Sequence, residues 1–270
     1  MAEKIELLII DPQVDFCDKK GALYVEGAEF DMERLAAMID RIGKKISKID
    51  VTLDCHHKID VAHPGMWRNS EGKSPDPFTI IESKDIKNGI WLPIYPSEIK
   101  RFIQYTESLE ASGRYPLCIW PPHCLIGTEG NNVLPILAQS LDKWIDMRER
   151  NINYVSKGSN IFTEHYSAIK AEVPDPSDPT TQIDSRDAGL INSLMQADIV
   201  AIAGEAGSHC LANTVRDIAN GFNDDSYIKK LVLLEDATSP VTGFETFQTD
   251  FITEMTARGM QISNTVDFLS

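Results

Sequence analysis

Residues 5–10 read Ile-Glu-Leu-Leu-Ile-Ile, an apolar run that closes on Asp11 and has the length of a buried strand. Between residues 30 and 46 the period changes: Met32, Leu35, Met38, Ile39 and Ile42 recur at the three-and-four spacing of a helix. The two patterns then alternate. Strand-like runs fall at 49–53, 116–120, 151–155, 198–203 and 230–234, and 260–263 closes the sheet. Helical spacing falls at 97–111, 132–147, 188–195, 211–221 and 242–258. Near-continuous apolar strands separated by helices predict a parallel sheet covered on both faces. Such sheets carry their sites at the carboxyl ends of the strands.

One stretch breaks the rhythm. Residues 64–115 mix Pro, Gly, Trp and charged side chains, and read as an elaborated insert that carries the 97–111 helix. Residues 174–184 read as a second irregular stretch, a loop. No linker separates two units, so residues 1–270 are expected to form a single domain.

Composition removes several classes of partner. The chain holds 26 Lys and Arg against 41 Asp and Glu, a net charge of -15, which speaks against nucleic acid and against an anionic membrane surface. No secretory apolar segment opens the chain, and no apolar run is long enough to span a bilayer. The 5 cysteines lack regular disulfide spacing, which favours free thiols and a cytoplasmic location.

Chemistry-bearing residues sit where the strands end. Asp11 ends the first strand, Asp54 and His56 follow the second, His123 the third, Lys157 the fourth and Cys210 the fifth. A parallel sheet gathers all of them at one edge. Cys210 opens a helical stretch, where the helix dipole and free N–H groups favour a thiolate. An aspartate and a lysine beside a thiol make a proton-transfer set: the carboxylate takes the proton and the ammonium lowers the cost of the charges. Each residue alone has an ordinary use, as turn cap, surface lysine or core thiol; the coincidence is what points to catalysis. Asp54 and His56 alternate along an extended segment and share a side. One more loop ligand would complete a facial site suited to Zn, Fe or Mn. His57 and His63 stand close by, and His63 is a candidate fourth ligand. The turn after the first strand has no Gly-x-Gly-x-x-Gly, which disfavours dinucleotide binding.

Five motifs in order carry a resemblance: Asp11-Pro12-Gln13-Val14-Asp15-Phe16; Asp54-x-His56; Trp120-Pro121-Pro122-His123-Cys124-x-x-Gly127-Thr128; Lys157-Gly158; and Gly204-x-Ala206-x-x-x-Cys210. Together they resemble the isochorismatase-like cysteine hydrolases, and among these the nicotinamidases. The resemblance implies a three-layer α/β/α fold with a mostly parallel, six-stranded, Rossmann-like sheet. It implies a catalytic triad of Cys210, Asp11 and Lys157. It also implies one divalent metal ion on Asp54, His56 and His123, with zinc foremost and iron or manganese as alternatives. A pyridine ring would lie between Phe16 and Trp120, a cis bond would precede Ala206, and the N–H groups of Ala206 and Cys210 would form an oxyanion hole. The implied activity is ammonia release from a small carboxamide, nicotinamide first, through a thioester, as a reaction of NAD metabolism. Relatives often assemble, which leaves a homo-oligomer open. Departures from the motifs are local. Gly207-Ser208 stands where many relatives have Thr-Asp, and His63-Pro64-Gly65-Met66-Trp67 where nicotinamidases usually carry His-x-Ser-Phe. The long insert keeps open a related amidohydrolase acting on N-carbamoyl, ureido or other small amides. A non-catalytic binding protein is the reading from outside enzymology.

Overall fold

Six parallel strands form the central sheet: β1 (Ile5–Ile10), β2 (Ile46–Asp54), β3 (Asn153–Lys157), β4 (Ile199–Gly204), β5 (Leu231–Leu234) and β6 (Gln261–Ser263). The computed structural model describes residues 3–175, 177–182 and 189–270. Residue 188, the expected start of one helix, and parts of the 174–184 loop lie outside the described residues. Every residue of β1 is buried, as a strand covered on both faces requires. Each large apolar side chain so removed from water contributes about 1.5–3 kcal/mol.

The strands lie in the order β6-β5-β4-β1-β2-β3, all parallel. The chain runs outward from β1 to β3, then returns to lay β4 on the other side of β1. That reversal opens a crevice at the carboxyl ends of β1 and β4, where ligands bind in open α/β sheets. The longer helices among the described residues are α1 (Ala28–Ile42), α2 (Ile99–Ser112) in the insert, α3 (Pro135–Arg148), α4 (Leu190–Gln196), α5 (Cys210–Gly221) and α6 (Glu245–Ala257). α1 packs on α3, and α5 on α6, to give the layers of a three-layer α/β/α fold. No helix among the described residues is long and apolar enough to cross a membrane.

The sheet has the expected six strands, and each falls on a predicted run; of the seven runs, 116–120 is the one left out. The 116–120 run is not a central strand. Only Leu117–Cys118 is extended, and it pairs antiparallel with Ile80–Ile81 outside the sheet. Pro116, Pro121 and Pro122 offer no N–H to a longer ladder. β6, on the run expected to close the sheet, lies at its edge beside β5. Two boundaries also move. Ile46 opens β2 rather than ending α1, and Lys157 is the last residue of β3 rather than lying beyond it.

The 64–115 insert folds against this frame. Trp67–Arg68 pairs antiparallel with Leu92–Pro93, and the Trp67 ring meets Phe102 of α2 with centroids 5.2 Å apart. Ile81, Ile86 and Phe102 join the same buried cluster as the sheet strands. At the end of β4, Gly204 has φ +113°, and a Cβ there would strike the backbone of Ile10. Only glycine lets β4 turn so close to β1.

Candidate active site

Three sheet strands deliver the charged groups. β2 and β3 are in register, with Asp54 opposite Lys157, so both side chains reach the same strand end. Asp11 follows β1 with φ 43°, in the left-handed region that aspartate tolerates better than most residues. Its N–H donates to both the carbonyl and the hydroxyl of Thr52, at 3.2 and 3.0 Å. The Thr52 hydroxyl in turn donates to Asp11 Oδ1 at 2.5 Å. Gly158 then turns the chain away from Lys157; with φ +84°, it leaves room where a Cβ would meet the Asp54 carboxylate.

Lys157 Nζ is the hub. It lies 2.9 Å from Asp11 Oδ2, 3.1 Å from Asp54 Oδ1, 2.9 Å from the His165 carbonyl and 3.5 Å from Cys210 Sγ. The side chains of Lys157 and Asp11 are fully buried. Cys210 is the first residue of α5, and donor atoms of Asp11, Asp54 and Cys210 lie within 4.8 Å of one another. The residues expected from positions 11, 157 and 210 therefore meet.

Burial and charge set their protonation. Desolvation opposes the Lys157 charge, but Asp11 and Asp54 hold its pKa well above the usual lysine range. Burial raises Asp11 above an ordinary carboxylate, against the pull of Lys157. Burial also pushes the Cys210 thiol well above its usual range; Lys157 opposes this, while Asp11 and Asp54 reinforce it. The helix N-terminus was expected to favour a thiolate. Low-dielectric surroundings and two carboxylates work against it and hold the thiol above its ordinary range.

A second cluster shares Asp54. His56 Nε2 is 3.0 Å and His123 Nε2 3.5 Å from Asp54 Oδ2, and one donor atom from each of the three residues falls within 4.8 Å of the others. His56 Nδ1 pairs with Asp60 Oδ2 at 3.1 Å, and His123 Nδ1 with the Pro121 carbonyl at 2.8 Å. Asp54 and Asp60 hold the buried His56 ring well above the usual imidazole range; an ion that displaced its Nε2 proton would meet Nε2 of both rings beside the Asp54 carboxylate. Two imidazoles and a carboxylate so held suit a divalent cation such as zinc. Despite burial, His56 and Lys157 keep Asp54 well below the usual carboxylate range. His63 stands behind this group: its Nδ1 meets the His57 carbonyl at 3.0 Å, and its Nε2 faces His123 Nδ1 at 3.4 Å. Burial drives its pKa down to about 3. His63 therefore abuts the rear of the His123 ring, and His57 offers only its carbonyl to His63.

His123 does not arrive on a strand, as the sequence suggests. Its loop is stitched beside residue 56: the His56 N–H donates to the Cys124 carbonyl at 3.1 Å, and the Ile126 N–H to the His56 carbonyl at 3.1 Å. Asp15 Oδ2 accepts from the Cys124 N–H at 2.6 Å, and Asn131 donates to the Asp54 carbonyl at 2.7 Å.

A cavity opens over both clusters, lined by Phe16, Trp120, Tyr166, Ala206, His209 and Cys210 among others. Phe16 lies 5.3 Å from the His123 ring, and the Trp120 N–H donates to the Tyr166 hydroxyl at 3.2 Å. Phe78 of the insert packs edge-on against Trp120 at 5.8 Å. The Glu205–Ala206 bond is cis. The N–H groups of Ala206 and Cys210 find no acceptor among the described residues.

Several residues here escape a reading of the sequence. Glu164 borders the cavity with Oε1 4.0 Å from His56 Nε2, and burial pushes its pKa up to about 7. Asp60 and Tyr166 likewise arrive from segments without a recognisable motif. His209 adjoins Cys210 in the chain, which is the one local signal any of them carries.

The sheet order and its flanking helices give a fold shared with solved nicotinamidases and pyrazinamidases. Among solved structures, the chain is similar to a nicotinamidase/pyrazinamidase of Acinetobacter baumannii, with TM-score 0.64, 19% identity, and coverage of 98% of each chain. It is similar to the yeast nicotinamidase, with TM-score 0.62 and 18% identity over 96% of this chain and 99% of the other. A pyrazinamidase of Pyrococcus horikoshii, solved in complex with zinc, matches with TM-score 0.55 and 18% identity over 97% and 99% of the two chains. No protein-family model and no curated protein matches the sequence.

Proposed function

We propose that the protein is an amidohydrolase that releases ammonia from a small aromatic carboxamide, nicotinamide first, through a thioester on Cys210. One observation carries this reading. A buried ammonium, Lys157, lies 2.9 Å from a carboxylate and 3.5 Å from a thiol, at the base of a cavity with aromatic walls.

Asp11 takes the Sγ proton as sulfur attacks the carboxamide carbon, and Lys157 balances the charge passing between them. The tetrahedral oxyanion is held by the N–H groups of Ala206 and Cys210; one such donor is worth about 3–4 kcal/mol of barrier. Asp11 returns the proton to the departing nitrogen, and ammonia leaves. A water then gives its proton to Asp11 and adds to the thioester. Collapse releases the carboxylic acid and a thiolate, which recovers its proton from Asp11. Phe16 and Trp120 hold the ring, and Trp120 is fixed for this by its bond to Tyr166. Asp54, His56 and His123 would hold a divalent metal, which would offer a Lewis-acid contact to a ring nitrogen. Zinc in the Pyrococcus horikoshii protein makes it the first ion to test.

The deciding experiment follows ammonia from nicotinamide and from N-carbamoyl compounds, with and without a chelator. Release from nicotinamide, with KM raised more than kcat falls on chelation, is the expected result. Release only from N-carbamoyl substrates would replace the substrate assignment, and release from neither would remove the amidase reading. A second expectation concerns Asp60, whose bond to His56 Nδ1 fixes that ring. Asp60→Ala should weaken zinc binding by about 10–100-fold in a calorimetric titration. Unchanged affinity would strip Asp60 of that role.

A further inference from the structure

Glu205 is fully buried and does not line the cavity. Its Oε2 accepts from the Ser239 N–H at 3.1 Å, while Oε1 has no partner of its own. Beside it, on α1, stands the carboxyl of Asp31, which is itself buried. Both Asp31 oxygens are already engaged: Oδ1 accepts from Arg34 at 2.5 Å and Oδ2 from the Ser239 hydroxyl at 2.6 Å. Two buried carboxyls bridged by the same Ser239 do not both ionise. A proton on Glu205 Oε1, donated to Asp31, satisfies the one oxygen left over.

The same residues hold the loop after β4. The Ser239 carbonyl accepts from the Gly207 N–H at 2.9 Å, and the Ser208 hydroxyl accepts from the Val241 N–H at 3.0 Å. The Glu205 N–H donates to the Ile10 carbonyl at 2.7 Å. Ala206 thus lies between two anchored neighbours, and its N–H direction follows from theirs.

We propose that Glu205 is a positioning residue: its carboxyl shares one proton with Asp31 and, through Ser239, anchors the loop that presents the N–H groups of Ala206 and Cys210. The catalytic consequence rests on the amidase reading; the proton-sharing clamp does not. The charged and titratable groups around Glu205 are Asp31 and Arg34 from α1 and the Cys17 thiol from the segment after β1. Arg34 is committed to Asp31 and to the Asp236 carbonyl. Burial first, and Asp31 next, push Glu205 well above the ordinary carboxyl range.

Two variants test this. In Glu205→Leu, kcat on nicotinamide should fall on the order of 10²-fold with KM nearly unchanged, because the displaced donors serve the oxyanion and not the bound substrate. Glu205→Gln, whose amide donates to Asp31 in place of the proton, should restore most of kcat. Its stability gives an independent readout. A group whose folded pKa is raised takes up a proton on folding at any pH above its unfolded value of about 4.3, so wild-type stability falls as pH rises until the folded group ionises. Gln carries no such proton. The melting temperature of E205Q minus that of wild type should therefore become more positive from about pH 4 to about pH 8. An E205Q deficit that is the same at every pH would overturn the shared proton, and wild-type kcat in E205L would overturn the positioning role. If the wild type releases no ammonia from any carboxamide, the amidase reading fails and the melting difference alone decides the clamp. The same comparison decides it if E205L does not fold, because Gln is isosteric.

Discussion

Cys210→Ala is expected to abolish ammonia release, with a fall in kcat on the order of 10⁴-fold or more. The fold should survive. Lys157 keeps its contacts to Asp11, Asp54 and the His165 carbonyl when sulfur is removed, so no buried charge loses its partner. Deleting one sulfur from this site should change stability by about 1 kcal/mol. The variant should still bind nicotinamide, since Phe16, Trp120 and the Asp54 cluster are untouched. Denaturing the wild type during turnover should trap an acyl adduct on Cys210 that mass spectrometry detects, and the variant should show none. Ammonia release by the variant at the wild-type rate would remove Cys210 from the chemistry.

The part of this site that the sequence reveals is the part that strand ends impose. β1, β2, β3 and β4 are apolar runs whose termini can be located within a few residues, and a parallel sheet brings those termini together whatever else the chain does. Asp11, Asp54, Lys157 and Cys210 follow from that rule. Their motifs add order and identity. The N–H of Cys210 is free because the residue opens a helix, which is also visible in the local pattern.

What escapes is set by tertiary packing. Residues 116–120 look like a buried strand, but a short apolar run between prolines says nothing about which partner it pairs with. It found Ile80–Ile81 of the insert. His123 nevertheless joins the Asp54 and His56 cluster, through a loop bonded to residue 56 rather than from a sheet strand. Thiol protonation was misjudged for a related reason. A helix N-terminus is legible in one segment, whereas full burial beside Asp11 and Asp54 depends on three. Asp60, Glu164 and Glu205 are invisible because an acidic residue in a sequence is by default a surface residue. Only the fold shows that each of the three is buried.

Lys157→Met should lower the stability of the protein by about 3–5 kcal/mol near neutral pH, the usual result of removing one member of a buried charge group. The argument rests on what remains. Asp11 Oδ2 and Asp54 Oδ1 have no hydrogen-bond partner apart from their ion pairs with Lys157. Methionine fills a similar volume, so a cavity would not explain the loss. Turnover should also fail, because nothing then balances the charge that passes between Asp11 and Cys210. Stability and chemistry separate in the double variant. Asp11→Asn with Lys157→Met removes one of the two stranded carboxylates, and should recover a large share of the lost stability as a coupling energy of about 1–3 kcal/mol. It should recover no activity, since asparagine cannot take the thiol proton. Ammonia release by the double variant would make both residues structural supports and leave the thiol without its base. Equal stability in K157M and wild type would mean that the two carboxylates are not charged against the lysine, and the account of the buried ion group would have to be withdrawn.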